Sequence, residues 1–98
     1  MNECAARHAP STGEKDPPAA VIYARKIDWG VPVDAFLADA AKVGDRYAAK
    51  AYGDQSGRAE DGDTVVTPPV TFLTSDGTYK LFRSVCGRDH YVIVSEHR

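Results

Sequence analysis

The stretch TFLTSDGTYKLF, residues 71–82, decides how the second half of this chain folds. Asp76-Gly77 is the strongest turn signal in the sequence, because this pair favours the left-handed backbone of a two-residue hairpin loop. β-Branched and aromatic residues flank the pair on both sides, as is typical of strands. The stretch therefore predicts an antiparallel hairpin centred on Asp76-Gly77, which places Phe72 opposite Leu81.

Strand-forming segments continue on both sides of this hairpin. Residues 79–86 and 91–97, YKLFRSVC and YVIVSEH, are rich in β-branched and aromatic residues. Upstream, the run TVVTPPVTFLT at 64–74 contains Pro68 and Pro69, and proline within a strand pattern favours an edge position or a bulge. The second half of the chain is therefore predicted to form a largely antiparallel sheet.

The first half of the sequence predicts one strand and one helix. Residues 19–27, AAVIYARKI, are β-prone in the middle and are interpreted as a strand. In residues 32–52 the apolar side chains recur every three or four positions, which is the helical period. Pro32 suits the first turn of that helix and Gly53 suits the position after its last turn. The segment 53–63 has four acids, one base and few apolar residues, so it is predicted to be an acidic loop.

The order β-α-β-β-β predicts an α+β fold, with one helix packed on one face of a mainly antiparallel sheet. Residues 19–98 are long enough for one such domain. Residues 1–18 show no hydrophobic period and contain three prolines, so they are predicted to form a flexible N-terminal tail.

Side-chain alternation along the strands predicts two different faces of the sheet. The helix is expected to cover the better core face, which holds Val70, Phe72, Leu81, Val85, Val92 and Val94. The opposite face holds Leu73, Phe82, Cys86, Tyr91 and Ile93. Because one helix covers one face only, the second face is predicted to stay exposed, and exposed side chains of this kind are typical of binding or dimer surfaces.

These patterns predict a protein-binding surface made of Leu73, Phe82, Tyr91, Ile93, Trp29, Glu60, Asp61 and Asp63. Trp29 is included because tryptophan is frequent at interface hot spots, although such a residue also caps cores. Residues 28–63 contain eight acids and four bases. A partner with a basic surface is therefore expected, and a homodimer paired through the second sheet face is the alternative.

The run VCGRDHYV, residues 85–92, brings a cysteine, an aspartate and a histidine close together. Cys86, Asp89 and His90 could serve as nucleophile, orienting acid and base. An even-length loop, however, places Cys86 and His90 on opposite faces of the hairpin, which favours a simple turn. No catalytic residue, metal site or cofactor is therefore assigned, and no phosphate-binding loop, zinc-protease or nucleophile-elbow motif occurs.

Composition narrows the function classes further. The 98 residues have a net charge of −2, which disfavours non-specific nucleic-acid binding. Cys4 and Cys86 lie far apart, with no spacing that indicates a disulfide framework or a zinc site. No apolar run is long enough to cross a bilayer, and no leader segment is recognised, so a cytoplasmic location is expected.

The leading hypothesis is a small non-enzymatic protein-binding module that acts by occupying a partner's surface. Compact inhibitors and accessory proteins of bacteria and phage, including inhibitors of host defence systems, are built on this scale. The alternative is a homodimeric regulatory or nucleic-acid-associated module. The third hypothesis is a thiol-dependent enzyme that uses Cys86.

Overall fold

The structure, a computed structural model, describes residues 7–9 and 18–97. In these residues the chain forms one helix and seven strands: β1 (Arg7–Ala9), α1 (Ala19–Arg25), β2 (Ala35–Val43), β3 (Arg46–Tyr52), β4 (Thr64–Val66), β5 (Val70–Asp76), β6 (Tyr79–Ser84) and β7 (His90–Ile93). The strands form one sheet in the order β1-β4-β3-β2-β7-β6-β5. All neighbouring pairs are antiparallel except β2 and β7, which are parallel. The predicted α+β class, with one helix and a mainly antiparallel sheet, is confirmed.

The helix and the first strand, however, exchange places relative to the prediction. Residues 19–25 form α1, in which Val21 and Ala24 are buried at a spacing of three. Pro18 immediately precedes the helix, a place where its missing N–H costs nothing. The sequence 19–27 contains too few residues for its period to separate a buried helix from a strand.

The predicted helix at 32–52 is instead the hairpin of β2 and β3. Val43 pairs with Arg46, so Gly44 and Asp45 form the turn between the two strands. Gly44 has a φ of 64°, which a glycine adopts at little cost. The first four residues of β2 are all buried, so the strand shows no polar–apolar alternation in its sequence. A strand covered on both faces produces an apolar run that a helical pattern also fits.

The sheet is strongly curved. The rings of Tyr47 on β3 and Phe82 on β6 have centroids 5.2 Å apart, although β2 and β7 lie between these two strands. Neighbouring strands are about 4.8 Å apart, so a flat sheet would separate β3 from β6 by about 14 Å. The segment 67–69 bridges the curved ends: Thr67 N donates to Tyr47 O (2.8 Å) and Val85 N donates to Pro69 O (2.8 Å).

Curvature gives the sheet two buried faces. The helix α1 and the segment 29–33 cover the convex face, which contains Phe36, Leu81 and Val92. The concave face closes on itself around ten buried residues: Ala35, Leu37, Ala40, Ala49, Ala51, Ala59, Val65, Phe82, Tyr91 and Ile93. A helix does cover the face of Leu81 and Val92, but it is α1 and not the predicted helix at 32–52. Phe72 and Val85, which were predicted on the same covered face, are 51% and 67% exposed.

The prediction that the opposite face is exposed is wrong for three of its five apolar residues: Leu73 and Cys86 are exposed, whereas the other three are buried. Phe82, Tyr91 and Ile93 have relative exposures of 7%, 5% and 2%. The predicted pairing parity holds, because Phe82 lies opposite Tyr91 and Leu81 lies opposite Val92. The sequence pattern does not reveal that the sheet is curved. The curvature buries these three side chains without a second helix.

The hairpin of β5 and β6 forms with a different register from the predicted one. Asp76 pairs with Tyr79, so the two loop residues are Gly77 and Thr78. Gly77 has a φ of 63° at the first loop position, where glycine is favoured. A register shift between Phe72 and Thr74 then places Phe72 opposite Phe82 rather than Leu81.

The predicted tail contains a strand. Arg7 pairs with Val66 and Ala9 pairs with Thr64, so β1 extends the sheet beyond β4. The rest of the predicted tail, residues 1–6 and 10–17, lies outside the described residues. Within the described part of the chain, no helix is long and apolar enough to span a membrane.

Candidate functional site

The turn between β6 and β7 is held by Ser84. This side chain is fully buried, and its Oγ accepts a hydrogen bond from Asp89 N at 3.0 Å. Ser84 N donates to Asp89 O at 2.8 Å. The Oγ also lies 3.1 Å from Cys86 Sγ. The polar residues of this turn therefore satisfy one another, as expected for a hairpin tip.

Cys86 is disulfide-bonded, and the sequence contains one other cysteine, Cys4, which lies outside the described residues. The cysteine spacing gave no indication of this bond. A disulfide sulfur is not a thiolate nucleophile, so this form of the chain does not support thiol catalysis by Cys86. Disulfides persist in oxidising compartments, and the expected cytoplasmic location stays a prediction.

His90 is placed by its backbone rather than by its ring. Its N–H donates to Asp34 Oδ2 at 2.7 Å, and its carbonyl accepts from Asp34 N at 2.8 Å. This double contact fixes the start of β7 beside the start of β2. Asp34 is thus used as a structural acceptor.

Tyr91 and Asp89 form the most perturbed titratable pair. Burial, and then the charge of Asp34, raise the pKa of Asp89, while Arg88 lowers it. Burial, followed by the charges of Asp89, Asp34 and Asp54, raises the pKa of Tyr91 far above its ordinary value. Tyr91 therefore stays protonated. In the described ranges no cluster of three His, Cys, Asp or Glu side chains could hold a metal ion.

The acidic loop uses most of its carboxylates internally. Asp54 Oδ2 accepts from Ala59 N at 3.0 Å, Asp61 Oδ1 accepts from Gly53 N at 2.9 Å, and Asp63 Oδ2 accepts from Glu60 N at 2.9 Å. Asp63 is only 6% exposed. The prediction that Asp63 presents its charge to a partner is therefore wrong. Glu60 is exposed and Asp61 is half-buried, so these two remain accessible.

Trp29 packs at the edge of the convex core and does not protrude from the surface. Its ring is half-buried against the α1 cluster, and its Nε1 donates to Ala24 O at 3.2 Å. The same carbonyl, near the end of α1, also accepts from Ile27 N at 3.2 Å. Trp29 thus ties the helix to the following loop, a structural role that its sequence context also allowed.

Three of the six exposed large hydrophobic residues in the described part of the chain lie on β5 or directly after β6. Phe72 is 51% exposed, Leu73 is 39% exposed and Val85, directly after β6, is 67% exposed. We call these three residues the β5 patch. Every residue of β5 after Val70 is exposed, so the strand projects beyond both cores, and it pairs with β6 alone among the described strands.

Only Leu73 of the β5 patch was expected on the binding surface. The alternation pattern assigned Phe72 and Val85 to the covered core face. The signal that could have found them is Pro68-Pro69, because proline before a strand favours an edge position, where neither face is fully covered.

A second, smaller apolar surface lies on the outside of α1. Ile22 is 44% exposed and Tyr23 is 60% exposed, and Lys26 Nζ lies 5.8 Å from the centroid of the Tyr23 ring. This contact covers part of Tyr23 with a charged group. The surface is therefore less open to an apolar partner than the β5 patch.

No protein-family model, no curated protein and no solved structure matches this chain. The site must therefore be judged from its own geometry. That geometry contains the β5 patch, a smaller apolar surface on α1, and a set of carboxylates that mainly accept backbone hydrogen bonds.

Proposed function

We propose that this chain is a small, non-enzymatic protein-binding module that engages another protein through the β5 patch. The observation that carries the proposal is the exposure of Phe72 and Leu73 on a strand that projects from the domain. Aromatic side chains are enriched in interface cores and among hot spots. The patch replaces the surface expected from sequence, since four of the predicted residues, Phe82, Tyr91, Ile93 and Asp63, are buried.

The Phe72 ring is held in place before any partner arrives. It packs edge-on against Phe82, with ring centroids 5.6 Å apart and an interplanar angle of 71°. Phe82 itself is buried in the concave core. A partner that covers Phe72 therefore loses less side-chain entropy than it would with a freely rotating ring.

The geometry favours side-chain contacts over the addition of a regular strand. β5 carries a bulge between Phe72 and Thr74, and bulges disrupt the even spacing that a pairing strand needs. Pro69 precedes the strand and Asp76 ends it, and both residue types discourage edge pairing. We therefore expect a partner with an apolar pocket for Phe72 rather than one with a free β-strand.

We expect charge to contribute less to the binding affinity than the acidic composition of residues 28–63 suggests. Most carboxylates of the acidic loop accept backbone hydrogen bonds, which leaves Glu60 as its most exposed acid. A basic rim on the partner could pair with Glu60 and Asp61, although exposed ion pairs contribute only about 0–1 kcal/mol. The proposal therefore assigns affinity to the β5 patch and gives the acids a secondary role.

The test uses a photo-crosslinking amino acid at position 73 and, as a matched control, at position 22 on α1. We expect crosslinks to a defined partner from position 73 and not from position 22. Phe72→Lys should weaken binding by about 30-fold or more, which corresponds to a hot spot of about 2 kcal/mol. Ile22→Lys should leave binding unchanged.

Equal binding by Phe72→Lys and the wild type, measured by titration calorimetry, would contradict the proposal. Light scattering distinguishes binding to another protein from the homodimer alternative. A dimer that Leu73→Lys converts to a monomer would assign the β5 patch to a second copy of this chain. Thermal unfolding of each variant serves as a folding control, and small changes are expected because the patch is exposed.

A further inference from the structure

We propose that the partner segment that covers the β5 patch is acidic, and that its carboxylates pair with Arg83 and Arg88. This pairing rests on the proposed function, because it adds the chemistry of the partner to the surface assigned there. It also reverses the expected sign of the partner's charge, since the acids of residues 28–63 favoured a partner with a basic surface.

The β5–β6 hairpin and the turn after it are basic, although the chain as a whole is acidic. Residues 70–88 contain one acid and three bases, whereas the complete sequence has 14 acids and 12 bases. The single acid, Asp76, ends β5 at the tip of the hairpin. Lys80 is engaged in an ion pair of 2.8 Å with a carboxylate after β7. Arg83 and Arg88 therefore supply the unbalanced charge of this segment.

Both arginines lie beside the β5 patch. Arg83 stands opposite Thr71 on β5 and two residues before Val85, the spacing that places side chains on one side of a strand. Arg83 is exposed, and its side chain is long enough to cross the strand spacing of about 4.8 Å to the edge of β5. Arg88 is also exposed and follows Val85 in the turn after β6. A segment that covers Val85 and the edge of β5 therefore contacts both guanidinium groups.

Two acids lie close to this turn, and both are half-buried. Burial, and then the charge of Asp34, raise the pKa of Asp89, and the adjacent Arg88 opposes this rise. The Asp34 carboxylate accepts a backbone hydrogen bond at 2.7 Å. Among the described residues, neither Arg83 nor Arg88 forms an ion pair with a carboxylate. Both arginines can therefore pair with carboxylates of a partner.

Arginine beside exposed apolar side chains favours a protein segment that carries both carboxylates and an apolar side chain. A guanidinium group binds a carboxylate through two parallel hydrogen bonds, and arginine and aromatic residues are enriched at interfaces. A single-stranded nucleic acid also presents anions, but its successive bases stack on several exposed rings. Phe72 is the one aromatic residue of the β5 patch. The patch therefore fits an acidic peptide segment better than a nucleic-acid strand.

The test selects short peptides from a random display library on the immobilised full chain, after removal of peptides that also bind the Phe72→Lys variant. We expect the selected peptides to be rich in Asp and Glu and to carry a large apolar residue. The most enriched peptide, with a fluorescent label, is then titrated by fluorescence anisotropy. Arg83→Glu and Arg88→Glu together should weaken its binding by about 10-fold or more, and added salt should reduce this difference.

Lys26→Glu is the matched control, because it reverses an exposed charge at the end of α1, outside the β5 patch. This variant should bind the peptide within about twofold of the wild type, since exposed charges that are far apart are largely screened. Thermal unfolding of each variant checks folding, and small changes are expected because Arg83 and Arg88 are exposed.

Selection of neutral or basic peptides, or of none that depend on Phe72, would overturn the inference. Unchanged binding of an acidic peptide by the Arg83→Glu/Arg88→Glu variant would do the same. Displacement of the peptide by a single-stranded oligothymidylate would assign the arginines to a nucleic acid instead. If the double variant still crosslinks from position 73 to the same protein as the wild type, with equal affinity, the proposed function stands and the acidic chemistry is rejected.

Discussion

At the scale of single residues, polar side chains that the sequence offered as candidates for catalysis or binding hydrogen-bond to the backbone instead. Asp34 fixes His90 with two hydrogen bonds, and Ser84 fixes Asp89. Asp63 caps the acidic loop from a buried position. Buried N–H groups need an acceptor, and short aspartate and serine side chains supply one locally.

Ser84→Ala tests this role most directly. The change removes the Oγ that accepts Asp89 N at 3.0 Å and leaves that part-buried N–H without its partner. We expect the free energy of unfolding to fall by about 1–3 kcal/mol, measured by urea denaturation. Ser75→Ala, on the exposed strand β5, is the matched control and should change stability by less than about 0.5 kcal/mol. Equal effects of the two changes would show that the Ser84 hydroxyl is not needed.

At the scale of elements, a bulge in β2 decides which segment the strand pairs with. Asp39 has a φ of 53°, and the β2–β3 register shifts between Ala38 and Ala41. Beyond the bulge, Ala40 N donates to Ser95 O at 3.0 Å and His97 N donates to Ala40 O at 2.8 Å. The bulge thus lets β2 pair first with β7 and then with the segment that follows it.

The left-handed backbone at Asp39 predicts opposite outcomes for two substitutions. Glycine adopts this conformation freely, so Asp39→Gly should leave stability unchanged within about 0.5 kcal/mol or raise it. A β-branched residue is strained there, so Asp39→Val should lower stability by about 1–2 kcal/mol. Equilibrium denaturation of both variants provides the comparison. Greater stability of Asp39→Val than of Asp39→Gly would contradict the conformational argument.

At the scale of the whole molecule, a single curved sheet separates two cores. Leu37 and Phe36 are neighbours in β2, yet Leu37 lies in the concave core and Phe36 lies in the convex core beneath α1. The concave core is rich in alanine, which suits a tightly curved surface because small side chains leave room for the backbone to approach. When a large side chain is removed from such a core, the small neighbouring side chains cannot fill the cavity.

Leu37→Ala tests the concave core. Leu37 is fully buried, so we expect a loss of about 2–5 kcal/mol in the free energy of unfolding. Ile22→Ala on the exposed side of α1 is the control and should cost far less, because Ile22 is 44% exposed. Chemical denaturation measures both. A Leu37→Ala loss no larger than the control would mean that the concave face is not a packed core.

The local sequence determined the β5–β6 hairpin, the parity of Phe82 with Tyr91 and the α+β class, because each follows from turn chemistry and side-chain alternation between neighbours. Pattern alone could not distinguish the buried hairpin of β2 and β3 from a helix, since a strand covered on both faces loses its alternation. Nor could it locate the candidate site. Phe72 is exposed and Ile93 is buried because the sheet curves, and curvature depends on contacts such as Tyr47 with Phe82, whose residues lie far apart in the chain.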